Sequence, residues 1–215
     1  MFNHRMSAYR NVQFRFHGRW GEAAMALIVW PLIGIATIGI MYPYALLQIN
    51  RFIVRNSAYG TTKFAFNATL KQYAVIFLVA IGILVLSGGI IFAFTGVSDF
   101  AGILIIPAYV FFLVYTTVSF TNLYYNSVLL SEHGMEAELK FLPYAKVQLI
   151  NFTLIVFTLG LYLPAAKVRI TKYFSDNISF IARGSLEGFV VSEKEQVSAL
   201  GEELGEIFDF DIGGV

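Results

Sequence analysis

The feature that most constrains the fold is a run of sixty residues between Lys71 and Glu132 that holds a single charge, Asp99. At about 1.5 Å of rise per residue, a helix of this length measures roughly 90 Å, enough for two crossings of a hydrocarbon core of about 30 Å with a turn between them. Charged residues make up 13% of the chain, whereas soluble domains carry about 25%. The sequence therefore predicts an integral membrane protein and argues against a soluble globular enzyme.

Apolar segments elsewhere in the chain extend this prediction. Four uncharged segments each reach the roughly 20 residues that a spanning helix needs. We therefore expect an all-α integral membrane protein of four apolar helical segments, with small β-hairpin-like pieces outside the membrane and a short C-terminal amphipathic helix. The four segments are Ala23–Asn50, Gln72–Ser98, Phe100–Ser131 and Val147–Ala166.

An internal repeat relates the first and fourth segments. The pattern Thr-x-Gly-x-x-x-Pro occurs at residues 37–43 and again at 158–164, a fixed offset of 121, and the register continues so that Lys172 falls on Arg51. A proline near the end of an apolar helix removes a backbone donor, so each copy predicts either a kinked spanning helix or a re-entrant, discontinuous one. The candidate motif residues are Thr37, Gly39, Pro43, Thr158, Gly160 and Pro164.

Charge counting bears on these two topologies. With four plain spans, nine Lys/Arg lie on the cytoplasmic side and six outside, a weak positive-inside bias. If the first and fourth segments are re-entrant, all fifteen lie on one side. Both topologies place the N- and C-termini on the same side, which we expect to be the cytoplasm. The bias favours the re-entrant arrangement, whereas the length of the fourth segment suits an ordinary span.

Outside the apolar segments, three stretches alternate apolar and polar residues as half-exposed strands do: Val12–Phe16, Lys63–Phe66 and Ser179–Arg183. They could form one small sheet if they share a side of the membrane. Ser192–Glu195 is a capping-box pattern that predicts the start of a short helix with an acidic outer face. Anionic lipid repels such a face, so we expect this helix to dock on protein.

The pattern divides the chain into five parts. They are a polar N-terminal arm with a strand (1–22), a first repeat unit (23–71), a helical hairpin (72–131), a loop with a second repeat unit (132–191), and an acidic C-terminal helix and tail (192–215).

Basic residues follow each copy of the repeat. The general explanation is topological anchoring against anionic headgroups, worth about 1 kcal/mol per side chain. The functional alternative is a pair of anion or phospholipid-headgroup sites. The candidate contacts are Arg51, Arg55, Lys167, Arg169 and Lys172.

The histidines offer no sign of catalysis or metal binding. They share no metal-ligand spacing, and Glu132–Glu136 lacks the His-Glu-x-x-His arrangement of a zinc peptidase. We expect that stretch to be a solvated loop. We predict no catalytic, cofactor or metal site, no nucleic-acid binding and no enzyme activity.

Several of these motifs resemble those of a known protein family. The Phe14-x-Phe16-x-Gly18 strand, the Gly-Pro turn, the basic and aromatic run after it and the acidic tail 208–213 resemble the YjgN-like family of bacterial inner-membrane proteins, a domain of unknown function. Tyr44 and Ala165 stand where that family has tryptophan. The resemblance implies a multi-pass inner-membrane protein with no established reaction. It further implies a membrane-protein partner, for which a membrane-associated zinc metallopeptidase is the candidate.

Two functions remain open at this stage. The first is a non-enzymatic scaffold or accessory subunit that binds a membrane-protein partner. The alternative is a small transporter or lipid-handling protein built on repeated broken helices, in which Thr37 and Thr158 would face a cavity.

Overall fold

A computed structural model describes residues 8–9, 12–95, 101–185 and 187–198 of the chain. These residues form two compact units that are interleaved along the sequence. So far as they are described, residues 1–67, 128–134 and 181–215 belong to the first unit, and residues 68–127 and 135–180 to the second.

Within the described residues, seven short strands form one sheet whose order follows the sequence. Strands β1 to β6 pair antiparallel with their neighbours, and β7 follows β6 in the order of the sheet. The strands are β1 (Ala8–Tyr9), β2 (Val12–Phe16), β3 (Ser57–Tyr59), β4 (Thr62–Phe66), β5 (Val128–Leu130), β6 (His133–Ala137) and β7 (Ile178–Ile181).

Helices connect every second pair of strands. The helical elements are α1 (Trp20–Ala24), a π-helical turn (Met25–Val29), α2 (Trp30–Ala36), α3 (Tyr42–Arg55), α4 (Leu70–Thr95), a 3-10 turn (Ala101–Leu104), α5 (Ile105–Asn126), α6 (Phe141–Phe157) and α7 (Leu163–Asn177). A further helix, α8, covers residues 187–198.

The order strand, helical hairpin, strand occurs three times. We name the hairpins first (20–55), middle (70–126) and third (141–177). Tight turns at 60–61 and 131–132 join one copy to the next. In the first unit, β2, β3 and β4 are antiparallel neighbours that alternate in direction, so the tight turn at 60–61 and the first hairpin lie at opposite ends of these strands.

The structure extends the repeat that the sequence indicates. At the offset of 121, β2 corresponds to β6, α3 to α7 and β3 to β7, each pair beginning at equivalent positions. The middle copy follows the same plan at an offset of 71, since β4 and β6 begin at residues 62 and 133, and α4 and α6 at 70 and 141. The middle copy lacks the Gly-Pro motif, so sequence comparison alone did not reveal it.

The three hairpins differ in length. The 26 residues of α4 and the 22 of α5 correspond to about 39 and 33 Å of helix, whereas the 14 of α3 and 17 of α6 give only about 21 and 26 Å. Among the described residues, only Leu70–Thr95 and Gly102–Asn126 are long and apolar enough to cross a membrane. Their most apolar windows are 6% and 11% buried, which distinguishes them from the core helices of a soluble domain.

The predicted fold class is wrong. The chain is not an all-α protein of four apolar helices, because it carries a seven-stranded sheet and only two span candidates in the described residues. The first and fourth apolar segments are interrupted by turns at 37–41 and 158–162. The sheet was underestimated because its strands have two to five residues, too few for a strong alternation signal between long apolar runs.

Strands are present at all three stretches where alternation predicted them. Val12–Phe16 forms β2, Lys63–Phe66 lies in β4, and residues 179–181 lie in β7. By contrast, the expected solvated loop Glu132–Glu136 forms most of β6, and His133 is buried. The pairing of β5 with β6 through Leu130 and His133 explains why this stretch is ordered as a strand.

In the first unit, α8 packs on the sheet. Val190 of α8 contacts a buried cluster made by Val12, Tyr59 and Leu130 of three strands. Residues 187–198 are helical, and the Ser185 hydroxyl accepts a hydrogen bond from the Gly188 amide at 3.0 Å. The predicted start at Ser192–Glu195 is therefore wrong, because Ser185 supplies the cap about two turns earlier. The expected apolar and acidic faces beyond residue 198 lie outside the described residues.

In the second unit, two asparagines one turn apart on α5 bind the backbone at the end of β6 and just after it. The Asn126 side chain accepts a hydrogen bond from the Ala137 amide at 2.7 Å and donates one to the Ala137 carbonyl at 3.1 Å. Asn122 makes the same pair of bonds with Leu139, both at 2.9 Å. Each amide side chain thus satisfies both polar groups of one buried residue. The sequence gives no local sign of this pairing, because the partners are 11 and 17 residues apart.

We predict that Asn122→Leu destabilises the protein by about 2–4 kcal/mol, because it leaves the buried N–H and C=O of Leu139 without side-chain partners. Chemical unfolding of the purified protein in detergent measures the effect. Asn67→Leu, at an exposed loop position, is the matched control and should unfold like the wild type. Equal stability of the two variants would contradict the role of Asn122.

Candidate functional site

The two repeat motifs form the same helix-terminating turn at the tips of the first and third hairpins. The Gly39 amide bonds to the Gly34 carbonyl at 2.8 Å, and the Ile38 amide to Ile35 at 2.9 Å. The equivalent bonds of the third hairpin, from Gly160 and Leu159, measure 2.8 and 3.2 Å. This is the Schellman arrangement, in which the last free carbonyls of a helix receive amides from residues just past its end.

Each motif threonine joins the two helices of its hairpin. The Thr37 hydroxyl donates to the Ile33 carbonyl at 2.8 Å and accepts from the Met41 amide at 3.1 Å. The Thr158 hydroxyl bonds the Leu154 carbonyl at 2.7 Å and the Tyr162 amide at 3.0 Å. These bonds satisfy backbone groups that a helix end would otherwise leave to solvent. The hydroxyls therefore have a structural partner on both sides of the turn.

The residues at the hairpin tips are apolar and strained. Ile38 and Leu159 occupy the left-handed position that glycine favours, at φ 53° and 49°, which costs a branched L-residue roughly 1–2 kcal/mol. Both side chains are 95% exposed. A strained backbone that holds a fully exposed apolar side chain is unusual in water. The tip thus presents a hydrophobic side chain where glycine would relieve the strain.

The prolines begin the second helix of each hairpin. Pro43 is the second residue of α3 and Pro164 the second of α7. The missing amide is harmless there, and the fixed φ suits the first helical turn. The interruption expected from the sequence is therefore present, but glycine and the preceding residue set the reversal and proline follows it.

We predict that Gly160→Ala destabilises the protein by about 1–2 kcal/mol, because Gly160 has φ 92° and alanine pays the left-handed penalty even though space is available. Pro164→Ala should have a smaller effect. Gly82→Ala, in the open middle of α4, is the control and should stabilise through helix propensity. Melting temperatures in detergent measure both effects. A shift of the melting temperature in the same direction for Gly160→Ala and Gly82→Ala would contradict the role of Gly160 in the turn.

The basic residues of the first hairpin line a groove near its base. Arg51 and Arg55 lie one turn apart on α3 and face a space of about 570 Å³ that is also lined by Glu22 and Trp30. The edge of Trp30 packs against Tyr44 at 4.6 Å between ring centroids. This groove combines two guanidinium groups with an aromatic wall.

The basic residues of the third hairpin have different surroundings. Arg169 lies 5.6 Å from the centre of the Tyr162 ring and donates to the buried Asn151 side chain at 3.4 Å. Lys167 and Lys172 are exposed and line a groove that includes Asp176. The structure thus places the predicted headgroup contacts in two groups, and it assigns Arg169 an additional packing role.

Glu193 is a site residue that the sequence reading missed. It lies on α8 and is 2% exposed, with its carboxylate at the tight turn between β3 and β4. The Thr61 amide donates to it at 2.7 Å, and the Thr62 hydroxyl makes a short hydrogen bond to its other oxygen. Gly60 has φ 61°, and a Cβ there would collide with the carboxylate. The sequence does contain a signal for its burial: Glu193 follows the buried Val190 by three residues, a spacing that puts both on one face of a helix.

Hydrogen bonding decides the protonation state of Glu193. Burial alone raises the pKa of the carboxyl group, but the bonds from Thr62 and Thr61 outweigh it and lower the pKa below the ordinary 4.5. Because the pKa is lower in the folded state than in the unfolded state, the ionised carboxylate stabilises the fold at pH values above the unfolded-state pKa. This stabilisation is lost as the pH falls through the folded-state pKa.

We therefore predict that Glu193→Gln lowers the unfolding midpoint at pH 7, and that its difference from the wild type shrinks as the pH falls below about 4.5. Unfolding in detergent between pH 7 and 3 measures this. Glu195→Gln, at an exposed position of the same helix, should show no such convergence. A constant difference for Glu193→Gln across the range would contradict the assignment.

The contacts of His133 are with neighbouring residues of the fold. Its Nδ1 accepts a hydrogen bond from the Arg183 amide at 3.1 Å, and its ring packs edge-on against Phe189 at 5.0 Å. Within the described residues, no group of three or more His, Cys, Asp or Glu side chains is arranged to hold a metal ion.

These features define a class of protein: a chain with antiparallel strands, one pair of long apolar helices and two short helical hairpins with apolar tips. The chain belongs to the family described as bacterial protein of unknown function (DUF898), whose model matches residues 1–207. This family contains the YjgN-like bacterial membrane proteins, so the resemblance found in the sequence is confirmed. Searches of curated proteins and of solved structures gave no significant match.

Proposed function

We propose that the protein is a non-enzymatic scaffold or accessory subunit of the bacterial inner membrane, held by one transmembrane hairpin and two re-entrant hairpins. The middle hairpin has the length of two full crossings, as described above. The first and third hairpins have helices of about 21–26 Å, too short to cross a core of about 30 Å. Their exposed apolar tips suit insertion to about the middle of the bilayer.

The orientation follows from charge. The ten residues from Thr95 to Leu104, which join α4 to α5, contain no Lys or Arg, and all fifteen of these cations lie elsewhere in the chain. With re-entrant hairpins, every cation then lies on one side of the membrane. The positive-inside rule makes that side the cytoplasm. Both termini and the sheet are therefore cytoplasmic in this proposal.

One observation favours a scaffold over a transporter. Three polar side chains of the apolar segments hydrogen bond the protein's own backbone: Thr37 and Thr158 close the hairpin turns, and Asn122 holds Leu139. A substrate path needs polar groups that bind the substrate in place of the backbone. These groups build the fold instead, which leaves the cytoplasmic sheet as the surface for recognition.

The lipid-handling alternative has its own support. An apolar groove of about 260 Å³ between α5 and α6 is lined by Tyr109, Leu113 and Phe152, with Gln148 as its polar member. Gln148 donates to the Tyr144 hydroxyl at 2.7 Å. A groove of this size accommodates part of an acyl chain, so a lipid is the natural occupant in a bilayer.

We predict that the double variant Ile38→Arg/Leu159→Arg fails to insert stably, because an arginine at the centre of a bilayer costs about 2.5–3.5 kcal/mol. Resistance to alkaline carbonate extraction from membranes measures insertion. Val191→Arg is the matched control, since Val191 is an exposed apolar residue on the sheet-packed helix and should tolerate the charge. Full resistance of the double variant would contradict the re-entrant arrangement.

The scaffold role is tested separately by photo-crosslinking in cells. A crosslinking residue at Lys63 or Glu195, both exposed on the sheet side, should yield one defined protein adduct. The membrane-associated metallopeptidase remains the candidate partner. Crosslinks to lipid alone at both positions would contradict a scaffold role and support lipid handling.

A further inference from the structure

The base of the first hairpin combines a π-helical turn with two adjoining grooves. Its first arm contains a five-residue π-helical turn, Met25–Val29, whereas the equivalent arm of the third hairpin, α6, is α-helical throughout. π-Helical segments widen a helix and occur frequently at functional sites. Grooves open on two sides of this turn: Met25 and Ala26 line the basic groove, and Ala23 and Leu27 line an apolar one.

The basic groove presents an anion-binding surface. Arg51 and Arg55 extend from one face of α3, with Gln48 one turn earlier on the same face. Gly21 leaves open space on the facing arm, where a side chain would meet nothing within 4 Å. Guanidinium groups bind phosphate oxygens through paired, charge-assisted hydrogen bonds. Glu22 also lines the groove, and the two arginines outnumber it.

The apolar groove adjoins the basic one. It has a volume of about 390 Å³ and is lined by Phe16, Trp20, Leu27 and Phe52 among others, and Phe52 lines both grooves. The edge of Phe16 packs on Phe52 at 5.8 Å, and a Cβ at Gly18 would collide with both rings. Glycine at position 18 therefore allows the aromatic floor to form. A ligand with an anionic head and an apolar chain matches the two adjoining grooves.

Depth in the bilayer gives an independent indication. Arg51 and Arg55 follow the start of α3 at Tyr42 by nine and 13 residues, which places them about 14 and 20 Å along the helix from the tip. Half of a hydrocarbon core is about 15 Å. With the tip at mid-bilayer, the two guanidinium groups lie at the level of the lipid phosphates.

We propose that this double groove binds an anionic phospholipid, with its phosphate on Arg51 and Arg55 and an acyl chain along the aromatic groove. The inference rests on the re-entrant insertion proposed above. The third hairpin is the natural contrast, because at the offset of 121 it has Lys172 in place of Arg51 and Asp176 in place of Arg55. Exchange of a cation for an anion removes the phosphate preference there, so the site belongs to the first hairpin.

The test is thermal melting of the purified protein in detergent with added phosphatidylglycerol, phosphatidylcholine or inorganic phosphate. Phosphatidylglycerol should raise the melting temperature of the wild type most. Arg51→Gln/Arg55→Gln should weaken the apparent affinity about 25-fold, roughly fivefold for each cation removed. Lys167→Gln/Lys172→Gln removes the same charge from the third hairpin and should retain the wild-type response.

A single substitution perturbs the fold less than the double variant does and provides a second test of the site. Arg55 is exposed, so Arg55→Asp, which copies the pairing of the third hairpin, should fold and still lose the phosphatidylglycerol response. An unchanged response in Arg55→Asp would overturn the site. An equal response of the wild type to inorganic phosphate would overturn the lipid as its occupant. Cysteine topology mapping tests re-entrant insertion itself, so the two failures are distinguishable.

Discussion

At the tips of the first and third hairpins, the chain reverses inside a run of apolar residues, and in the proposed re-entrant topology the bilayer offers no water to the backbone there. The amides of Gly39 and Gly160 bond back to carbonyls of the preceding helix at 2.8 Å, and the threonine hydroxyls bridge to the next helix. A hairpin is tolerated in hydrocarbon only when its polar groups are satisfied internally. The two turns meet that requirement while keeping apolar side chains outermost, and the proposed re-entrant architecture depends on them.

Polar contacts join helices to strands and loops within each of the two units. Strands β1 to β6 pair antiparallel with their sequence neighbours. Glu193 of α8 fastens the turn after β3, and Asn122 and Asn126 of α5 bind the backbone around β6. These polar contacts lie near the ends of the apolar elements, where the polypeptide passes between lipid-facing and water-facing surfaces in the proposed topology. Attachment at these points fits the scaffold role proposed above.

The features that depend on local sequence patterns could be predicted from the sequence. The duplicated Thr-x-Gly-x-x-x-Pro motif predicted an interruption at residues 37–43 and 158–164, and alternation predicted β2 and β4. Sequence reasoning missed the middle copy of the repeat, because two long apolar helices carry no turn motif to align. It also placed His133 in a loop, since only pairing with Leu130 across the sheet makes that stretch a strand. The Glu193 carboxylate was hidden for a similar reason, as its partners Thr61 and Thr62 lie more than 130 residues away.

Re-entrant insertion is the central claim, and single-cysteine labelling of this cysteine-free chain tests it most directly. Cysteines replace Asn67 and Ser131, which are exposed beside β4 and β6, and Ser98, which lies between α4 and α5 outside the described residues. The account predicts that an impermeant thiol reagent added to intact cells with a permeabilised outer membrane labels Ser98→Cys alone. All three should react once the inner membrane is opened. Labelling of Asn67→Cys and Ser131→Cys in intact cells, with Ser98→Cys protected, would establish four plain spans and contradict the account.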